Sequence, residues 1–563
     1  MQYTDSLPAY NAESLLVHSR RAELLKEWAA GFKSINLNPR QLCDLEMLLN
    51  RAFYPLDGYL GRMDYESVLE YMRLSDGTLW PLPLCLGVSA EFAAGLEEGE
   101  CVAVRDAEGF MLAVLTVSDV WKPDLAAEAR AIRGEGACPG QAEGCGCGLA
   151  EPWYVGGRVE GVALPQRYDF TELRMSPAEV QRFFAQKGWR KVVAVQAGRP
   201  LHKADRAMLE EVARDEGASL LLSPLLRPSL YFCVDHFSLV RSFRQFAETF
   251  PRGVTKLNLT PWFERHMGPR GALLRAVVNK NYGCTHMLVW DTAKADPKRN
   301  ALSNEYEAHI RWLADHRADT GIIPVAEHCM ALDQSTGRYA RSDSGGRCVN
   351  DHDAVVDLLT RGEPVPEWMS FPGVLKELSH LYKPRWKQGF TLFFTGLSGA
   401  GKSTLAKILF VKLLELDSRP VTLLDGDIVR TNLSSELSFS KEHRNLNVTR
   451  IGFVASEIVK NGGVAICAPI APYAESRRHA RAAVEEYGGF VEIHVNTPLA
   501  VCERRDRKGI YAKARAGLLS GLTGVDDPYI TPENPELRID TSELTPNEAA
   551  HEVLLYLGER KYL

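Results

Sequence analysis

The sequence predicts an α/β multidomain protein with a β-rich first domain, an open α/β second domain, a small third domain and a second α/β domain at the C-terminus. Three observations carry that prediction. The chain has 563 residues, too many for one core and enough for three or four domains at about 150 residues each. Its texture changes near residue 166 from short apolar runs between turns to strand–helix–strand alternation, and that alternation restarts near residue 386. Finally, a compact apolar strand at 390–395 runs straight into a glycine-rich loop and a helical stretch.

Taken in order, residues 1–165 hold runs such as Trp80 to Val88 and Met111 to Val117 between Gly, Pro and Asp clusters, a strand-and-turn pattern. Within them Gly134 to Gly148 (GEGACPGQAEGCGCG) is glycine-rich enough to read as a loop. In residues 166–320, Lys191 to Val195 reads as a buried strand, His202 to Ala213 as a helix, and Ala218 to Leu222 and Met287 to Trp290 as further parallel strands. Ligands of such a sheet sit at the carboxyl ends of its strands. Residues 321–385 show little periodicity and include the Pro-rich run GEPVPEWMSFP, and LYKPRWKQGF reads as a connection to the last domain at 386–563.

Composition bounds the function. Hydrophobic residues form 45% and charged residues 25% of the chain, which excludes a disordered protein. Lys and Arg total 66 against 72 Asp and Glu, a net charge of −6, so no nucleic-acid partner is expected. The opening MQYTDSLPAYNAESLL lacks a basic flank followed by an apolar run, so no signal peptide is expected. No stretch approaches the roughly 20 apolar residues of a membrane helix. The 12 scattered cysteines read as reduced thiols of a cytoplasmic protein.

The chemistry is concentrated after Phe390–Thr395. Gly396-Leu397-Ser398-Gly399-Ala400-Gly401-Lys402-Ser403-Thr404 has the strand–loop–helix context of a nucleoside-triphosphate site. Glycines let successive N–H groups point at phosphate oxygens, and the helix N-terminus adds positive potential. Lys402 supplies a full charge for the β and γ phosphates, and the Ser403 hydroxyl is a ligand for Mg²⁺. The next strand, Pro420 to Leu424, ends in Asp425-Gly426-Asp427. Two carboxylates beside a phosphate loop can serve Mg²⁺ and an attacking hydroxyl separately; a solvated acidic turn is the alternative.

Over residues 386–563 these motifs resemble the adenylylsulfate kinases. LSFSKEHRNLNVTRIGFVA (437–455), Ile470-Ala471-Pro472-Tyr473 and RRDRKGIYAKARAGLLSGLTGVDDPY (504–529) are similar to that family's substrate helix, a site loop and a mobile lid. The resemblance implies a P-loop kinase domain that moves the γ-phosphoryl of ATP to the 3′-hydroxyl of adenylylsulfate, giving 3′-phosphoadenylylsulfate, with Mg²⁺ as cofactor. It further implies that Asp427 orients or deprotonates that hydroxyl and that Asp425 helps hold Mg²⁺. Arg430, Arg444 and Asn447 would grip the substrate, Phe439 would stack on adenine, and Lys508, Thr523 and Gly524 would close the lid. Ile451, Val454, Ala455 and Ile458 form a core stripe on the same helix as two of these residues. Two positions depart from the family pattern. Ala471 stands where it has serine, and Leu522, which packs but cannot stack, where it has phenylalanine.

Residues 1–383 resemble ATP sulfurylase in QLCDLEMLLNRAFYPLDGYLGRMDY (41–65), DGTLWPLPLCLGV (76–88), WYVGGRVEGV (153–162) and MGPRGALLRAVVNKNYGCTH (267–286). That implies a barrel-like N-terminal domain, a nucleotidyltransferase-like domain and a small third domain. The family's Gln-Thr-Arg-Asn-Pro-x-His-x-x-His signature, however, is here Gln196-Ala197-Gly198-Arg199-Pro200-Leu201-His202-Lys203-Ala204-Asp205. An arginine has become Gly198 and the second histidine Asp205, a carboxylate expected to repel a triphosphate. The second signature, Gly-Arg-Asp-His-Ala-Gly, is replaced by Trp290-Asp291-Thr292-Ala293-Lys294-Ala295.

Cys138, Cys145, Cys147, His328-Cys329, Cys348 and His352 lack the paired spacing of a zinc site, so free thiols are expected. The reading is an adenylylsulfate kinase fused behind a sulfurylase-like scaffold or regulator whose degenerate site is Gln196, Arg199, His202 and Asp205. ATP and adenylylsulfate are its partners, no membrane is involved, and both families imply a homo-oligomer. Two alternatives stand beside it: an active bifunctional synthase that also makes adenylylsulfate, and a nucleotide-sensing assembly protein.

Overall fold

In the computed structural model the described residues are 14–133, 151–225, 234–262, 268–290, 303–333, 335–342, 351–416, 419–438, 440–506 and 509–563. The chain forms two compact units, residues 1–358 with 364–381 and residues 359–363 with 382–563. The architecture is the expected mixture of α/β sheets, with the β-rich part first.

In the first unit a six-stranded sheet is built from β1 (Lys33–Asn36), β2 (Gly58–Tyr59), β3 (Leu86–Val88), β4 (Cys101–Arg105), β5 (Met111–Trp121) and β6 (Trp153–Gly161). Strands β4, β5 and β6 pair antiparallel, and β1 joins β4 in parallel. Of the run Trp80 to Val88 only the last three residues form a strand. Pro81 and Pro83 lack the N–H a ladder needs.

The second sheet is parallel, in the order β11 (Ile323–Ala326), β10 (His286–Val289), β7 (Val192–Ala197), β8 (Ser219–Pro224), β9 (Thr255–Leu257). Its central strand β7 is buried at every position, as a parallel strand covered on both faces must be. One apolar core runs through both sheets, from Leu15 to Ile322. The weakly periodic stretch after 321 contains more structure than its sequence suggests. It holds the hairpin of β12 (Met330–Asp333) and β13 (Arg338–Arg341), and helices Asp351–Arg361 and Pro372–Leu381. The second of these helices is seated by only two buried residues, Val374 and Leu378, too few for a clear helical period.

The second unit is a five-stranded parallel sheet in the order β15 (Val421–Asp425), β16 (Val464–Ala468), β14 (Phe390–Thr395), β17 (Gly489–Val495), β18 (Leu537–Ile539). Successive side chains of FTLFFT point to opposite faces. Phe390, Leu392 and Phe394 pack with Leu405, Leu409 and Leu413 of helix Lys402–Leu416. Phe393 faces the other way and stacks on Phe490 at 5.3 Å. It packs there against Ile451, Ala455 and Val459 of helix Lys441–Lys460. Val454 and Ile458, read as part of the same stripe, are partly buried. Burying β14 on both faces fixes its carboxyl end, from which the phosphate loop emerges. Among the described residues no helix is long and apolar enough to cross a membrane.

Candidate active site

The loop after β14 is held from several directions. Gly396 has φ +146°, and a Cβ there would lie 2.5 Å from the carbonyl oxygen of Val495, so only glycine lets the strand end turn against β17. Behind the loop, Thr497 and Thr541 donate to the Ala400 carbonyl at 3.2 and 2.9 Å, and the Tyr511 hydroxyl donates to the Ser398 carbonyl at 2.9 Å. Arg505 in turn donates to the Thr541 hydroxyl at 2.8 Å. These contacts brace the shape of the loop from behind.

Lys402, the first residue of the following helix, is 7% exposed. Its Nζ donates to the carbonyls of Gly396 (2.9 Å) and Leu397 (2.7 Å), which curl the loop around the ammonium. Ser403 donates to Asp425 Oδ1 at 2.9 Å, and the same oxygen accepts from the Gly426 amide at 2.8 Å. A hydroxyl and a carboxylate side by side at the end of β15 form a hard-oxygen donor pair that fits Mg²⁺. Asp427 lies within helix Gly426–Asn432, two residues beyond Asp425. Thr404 is exposed on the first turn of helix Lys402–Leu416.

The residues assigned to the substrate come from two further segments. Helix Lys441–Lys460, capped by Ser440, carries Arg444 and Asn447. Asn447 is buried, and its Oδ1 has no hydrogen-bond partner among the described residues, an acceptor that calls for a donor. The Arg444 guanidinium reaches the 521–527 segment, bonding the Gly521 carbonyl, the Thr523 hydroxyl and Asp527. Thr523 is buried. Gly524 has φ +92°, and a Cβ there would sit 2.7 Å from Leu397 of the phosphate loop. Arg430 donates to the Leu437 carbonyl at 3.4 Å. Leu522, in the phenylalanine position, is buried in the core containing Tyr511 and Leu405. Phe439 and Lys508 lie outside the described residues.

Ala471 takes φ +46°, a left-handed conformation that costs energy for a non-glycine residue. Its carbonyl is gripped by the Thr395 hydroxyl at 3.2 Å and by Arg477 at 2.8 Å. Arg477 is 4% exposed. It also donates to the Ile530 carbonyl at 2.9 Å and pairs with Glu492 at 2.9 Å. One buried guanidinium therefore ties the site loop to the end of the lid segment, and Tyr529 adds a hydrogen bond to Thr395 at 2.9 Å. Thr497, Thr541 and Arg477 lie in none of the motifs read from the sequence, and Tyr511 and Asp527 fall within the lid block with no separate role there, because their partners Ala400, Ile530, Ser398 and Arg444 are distant along the chain.

In the first unit the altered signature is also brought together. Strand β7 ends at Ala197, and Arg199 turns back to form a forked pair with Asp205, at 2.8 and 2.9 Å. Asp205 also accepts from the His202 amide at 2.7 Å, capping helix Lys203–Glu216. This corrects the expectation that Asp205 presents a repelling charge. Burial acts to raise its pKa, but Arg199 outweighs that and holds the carboxyl below its ordinary value. Trp290 lies over Arg199, with the guanidinium 5.2 Å from the ring and the indole N–H donating to the Gln196 carbonyl. The Gln196 side chain is buried and accepts from Asn279 at 3.3 Å. Arg199 therefore does not stand as a free replacement for the lost arginine; its charge is answered within the chain.

His202 is fully buried, 2.8 Å from Ser370 and 3.2 Å from His352. Burial pushes its pKa down to about 3 and that of His352 down to about 4. Both are therefore neutral in the fold, whereas in the unfolded chain each binds a proton below about pH 6.5. Stability is present above that pH and is lost as the pH falls from about 6.5 toward 4, at up to about 1.4 kcal/mol per pH unit per histidine. Thermal unfolding between pH 7 and 4.5 should show this slope, and His352→Gln should lessen it by the share of one histidine.

Cys329 is disulfide-bonded, against the expectation of a free thiol. Cys43, Cys85, Cys101, Cys284, Cys467 and Cys502 are free, and Cys138, Cys145, Cys147 and Cys348 lie outside the described residues. Among the described residues no cluster of His, Cys, Asp or Glu is arranged to hold a metal.

This combination of folds defines a nucleotide-using enzyme with two catalytic-type domains, and comparison with known proteins agrees. Family models match a PUA-like domain over residues 11–164, ATP-sulfurylase over 171–381 and adenylylsulphate kinase over 388–540. The chain belongs to the sulfate adenylyltransferase family and carries an adenylylsulfate kinase domain, a phosphotransferase. It is 40% identical to the sulfate adenylyltransferase of Phaeosphaeria nodorum over 555 residues, covering 97% of this chain and 96% of the relative. It is 39% identical to that of Neurospora crassa over the same shares. A solved structure described as a hexameric APS kinase from Thiobacillus denitrificans superposes with a TM-score of 0.79 at 39% identity, covering 98% of both chains.

Proposed function

We propose that the second unit phosphorylates adenylylsulfate at its 3′-hydroxyl with ATP as donor. The observation that carries this reading is the braced phosphate loop with the Ser403–Asp425 pair at its mouth. In this reaction the hydroxyl oxygen bonds to the γ-phosphorus, the bridge bond to the β-phosphate breaks, and ADP leaves. Asp427 is the residue assigned to orient the hydroxyl and take its proton. Lys402 exchanges its two loop carbonyls for β- and γ-phosphate oxygens, and the loop amides hold the rest of the chain of phosphates. Arg444 and Asn447 hold the substrate, with Arg430, Phe439 and Lys508 assigned there from the family pattern and the Thr523-Gly524 turn closing over the phosphate loop. Mg²⁺, held by Ser403 and Asp425, would neutralise charge on the transferring group. The hexameric description of the Thiobacillus denitrificans protein supports a homo-oligomer here.

For the first unit two readings stand. The Arg199–Asp205 pair, with Trp290 over the guanidinium, supports a scaffold that no longer transfers adenylyl groups, since the guanidinium is already neutralised. The relatives named sulfate adenylyltransferase over nearly the whole chain favour the other reading, a bifunctional synthase that also makes adenylylsulfate from ATP and sulfate. The relatives back the synthase reading better than the scaffold reading. The deciding assay uses the full chain with Lys402→Ala to silence the kinase and measures ATP made from adenylylsulfate and pyrophosphate. Turnover of about 1–10³ s⁻¹, the ordinary enzyme range, establishes the bifunctional synthase; a background rate leaves the scaffold.

A further inference from the structure

The expected substrate arginine, Arg444, is already answered by an anion of its own chain. Its Nη1 lies 2.9 Å from Asp527 Oδ2, and both side chains are shielded, at 12% and 22% exposure. The same carboxylate collects two more donors. The Tyr473 hydroxyl is 3.0 Å from Oδ1 and 3.1 Å from Oδ2, and the Thr523 hydroxyl is 3.3 Å from Oδ2. The Asp527 carbonyl completes the turn by accepting from the Gly524 amide at 2.7 Å. Asp527 thus joins the substrate helix, the site loop and the lid segment at one point.

The preceding acid does a different job. Asp526 accepts from the backbone amides of Gly521 and Leu522, so it caps the turn and does not answer Arg444 by hydrogen bond. Of the two neighbours, one shapes the segment and the other occupies a cation.

We infer that Asp527 is an internal stand-in for the anionic substrate, a latch that keeps Arg444 and Tyr473 on the lid segment until a substrate anion takes the guanidinium. The inference rests on the kinase reading of this unit and identifies a positioning residue for it. Physically, a sulfate or phosphate oxygen approaching Arg444 meets a carboxylate of the same sign and must displace it. The charge-assisted bonds that Asp527 makes are of the same kind that the substrate would make, so exchange is close to balanced in energy. Such a latch weakens substrate binding.

The test compares the full chain with Asp527→Asn, which keeps the size and the acceptor for Tyr473 but removes the charge. KM for adenylylsulfate should fall by about fivefold or more, equivalent to ~1 kcal/mol, while KM for ATP stays within twofold. Hydrogen exchange of the 521–523 amides in the ligand-free chain should be faster than in the wild type. Asp527→Glu, which restores the charge, should bring KM back toward the wild-type value, and Asp526→Asn should not lower it. An unchanged or higher KM in Asp527→Asn overturns the latch, as does unchanged exchange, since a purely structural role would raise KM. Asp527→Ser replaces the asparagine variant if that variant does not fold. Failure of the kinase reading looks different: the wild type itself would form no 3′-phosphoadenylylsulfate, and the exchange measurement would then decide the latch alone.

Discussion

Lys402→Ala should lower 3′-phosphoadenylylsulfate formation by about 10²–10³-fold or more, the usual cost of removing a preorganised charge donor from a transition state. The fold should survive. Lys402 sits at a helix N-terminus, where alanine is tolerated, and Thr497, Thr541 and Tyr511 still brace the loop from behind. The ammonium nevertheless does two things that alanine cannot. It pins the Gly396 and Leu397 carbonyls, and it is the charge assigned to the phosphate oxygens. A coupled assay of product formation, with circular dichroism as the check on folding, measures the effect. Product formation within tenfold of the wild type would place the site elsewhere.

The second large effect is expected at Arg477. Its alanine variant removes one partner of a buried ion pair, takes the guanidinium donor from the Ile530 carbonyl and leaves the Ala471 carbonyl with the Thr395 hydroxyl alone. Such losses cost about 3–5 kcal/mol, a drop of ~10 °C in the melting temperature of a unit this size. Glu492 keeps Arg481 as a partner at 3.3 Å, which places the effect toward the lower end. Activity should fall with stability, because Arg477 ties the Ala471 loop to the end of the lid segment. Arg477→Lys keeps the charge but not the three-way fork, so its loss should be intermediate. Calorimetry together with the product assay reads both. A melting temperature within ~2 °C of the wild type would mean that the loop is held by other contacts.

The phosphate loop was legible because its information is local. Phe390–Thr395 alternates apolar faces, Gly396 must turn against Val495, and Lys402 opens the helix, all within thirteen consecutive residues. The same locality identified β7 and the helix beginning at Lys203. The small third segment was less legible, since helix Pro372–Leu381 is seated by Val374 and Leu378 alone. At the site, Thr541 reaches the Ala400 carbonyl across 141 positions. Arg444 reaches Asp527 across 83. Threonines, aspartates and arginines at such separations carry no periodic signal, so only folding reveals their pairing.

The degenerate signature shows the same division. Sequence identified which residues stand in place of the expected ones, Asp205 among them. What it missed was the partner. Arg199, displaced by one position, folds back and neutralises that carboxylate, and Trp290 lies over the guanidinium.

By itself, then, the sequence determined the multidomain α/β class, the phosphate loop and the resemblance of each half to an enzyme family, because these depend on contiguous residues and on strand and helix periods. The tertiary structure alone decided how the charges are answered. Arg199 belongs to Asp205, Arg444 to Asp527 and Arg477 to Glu492. An ion pair's energy depends on distance and burial, and neither is written in the order of residues along the chain.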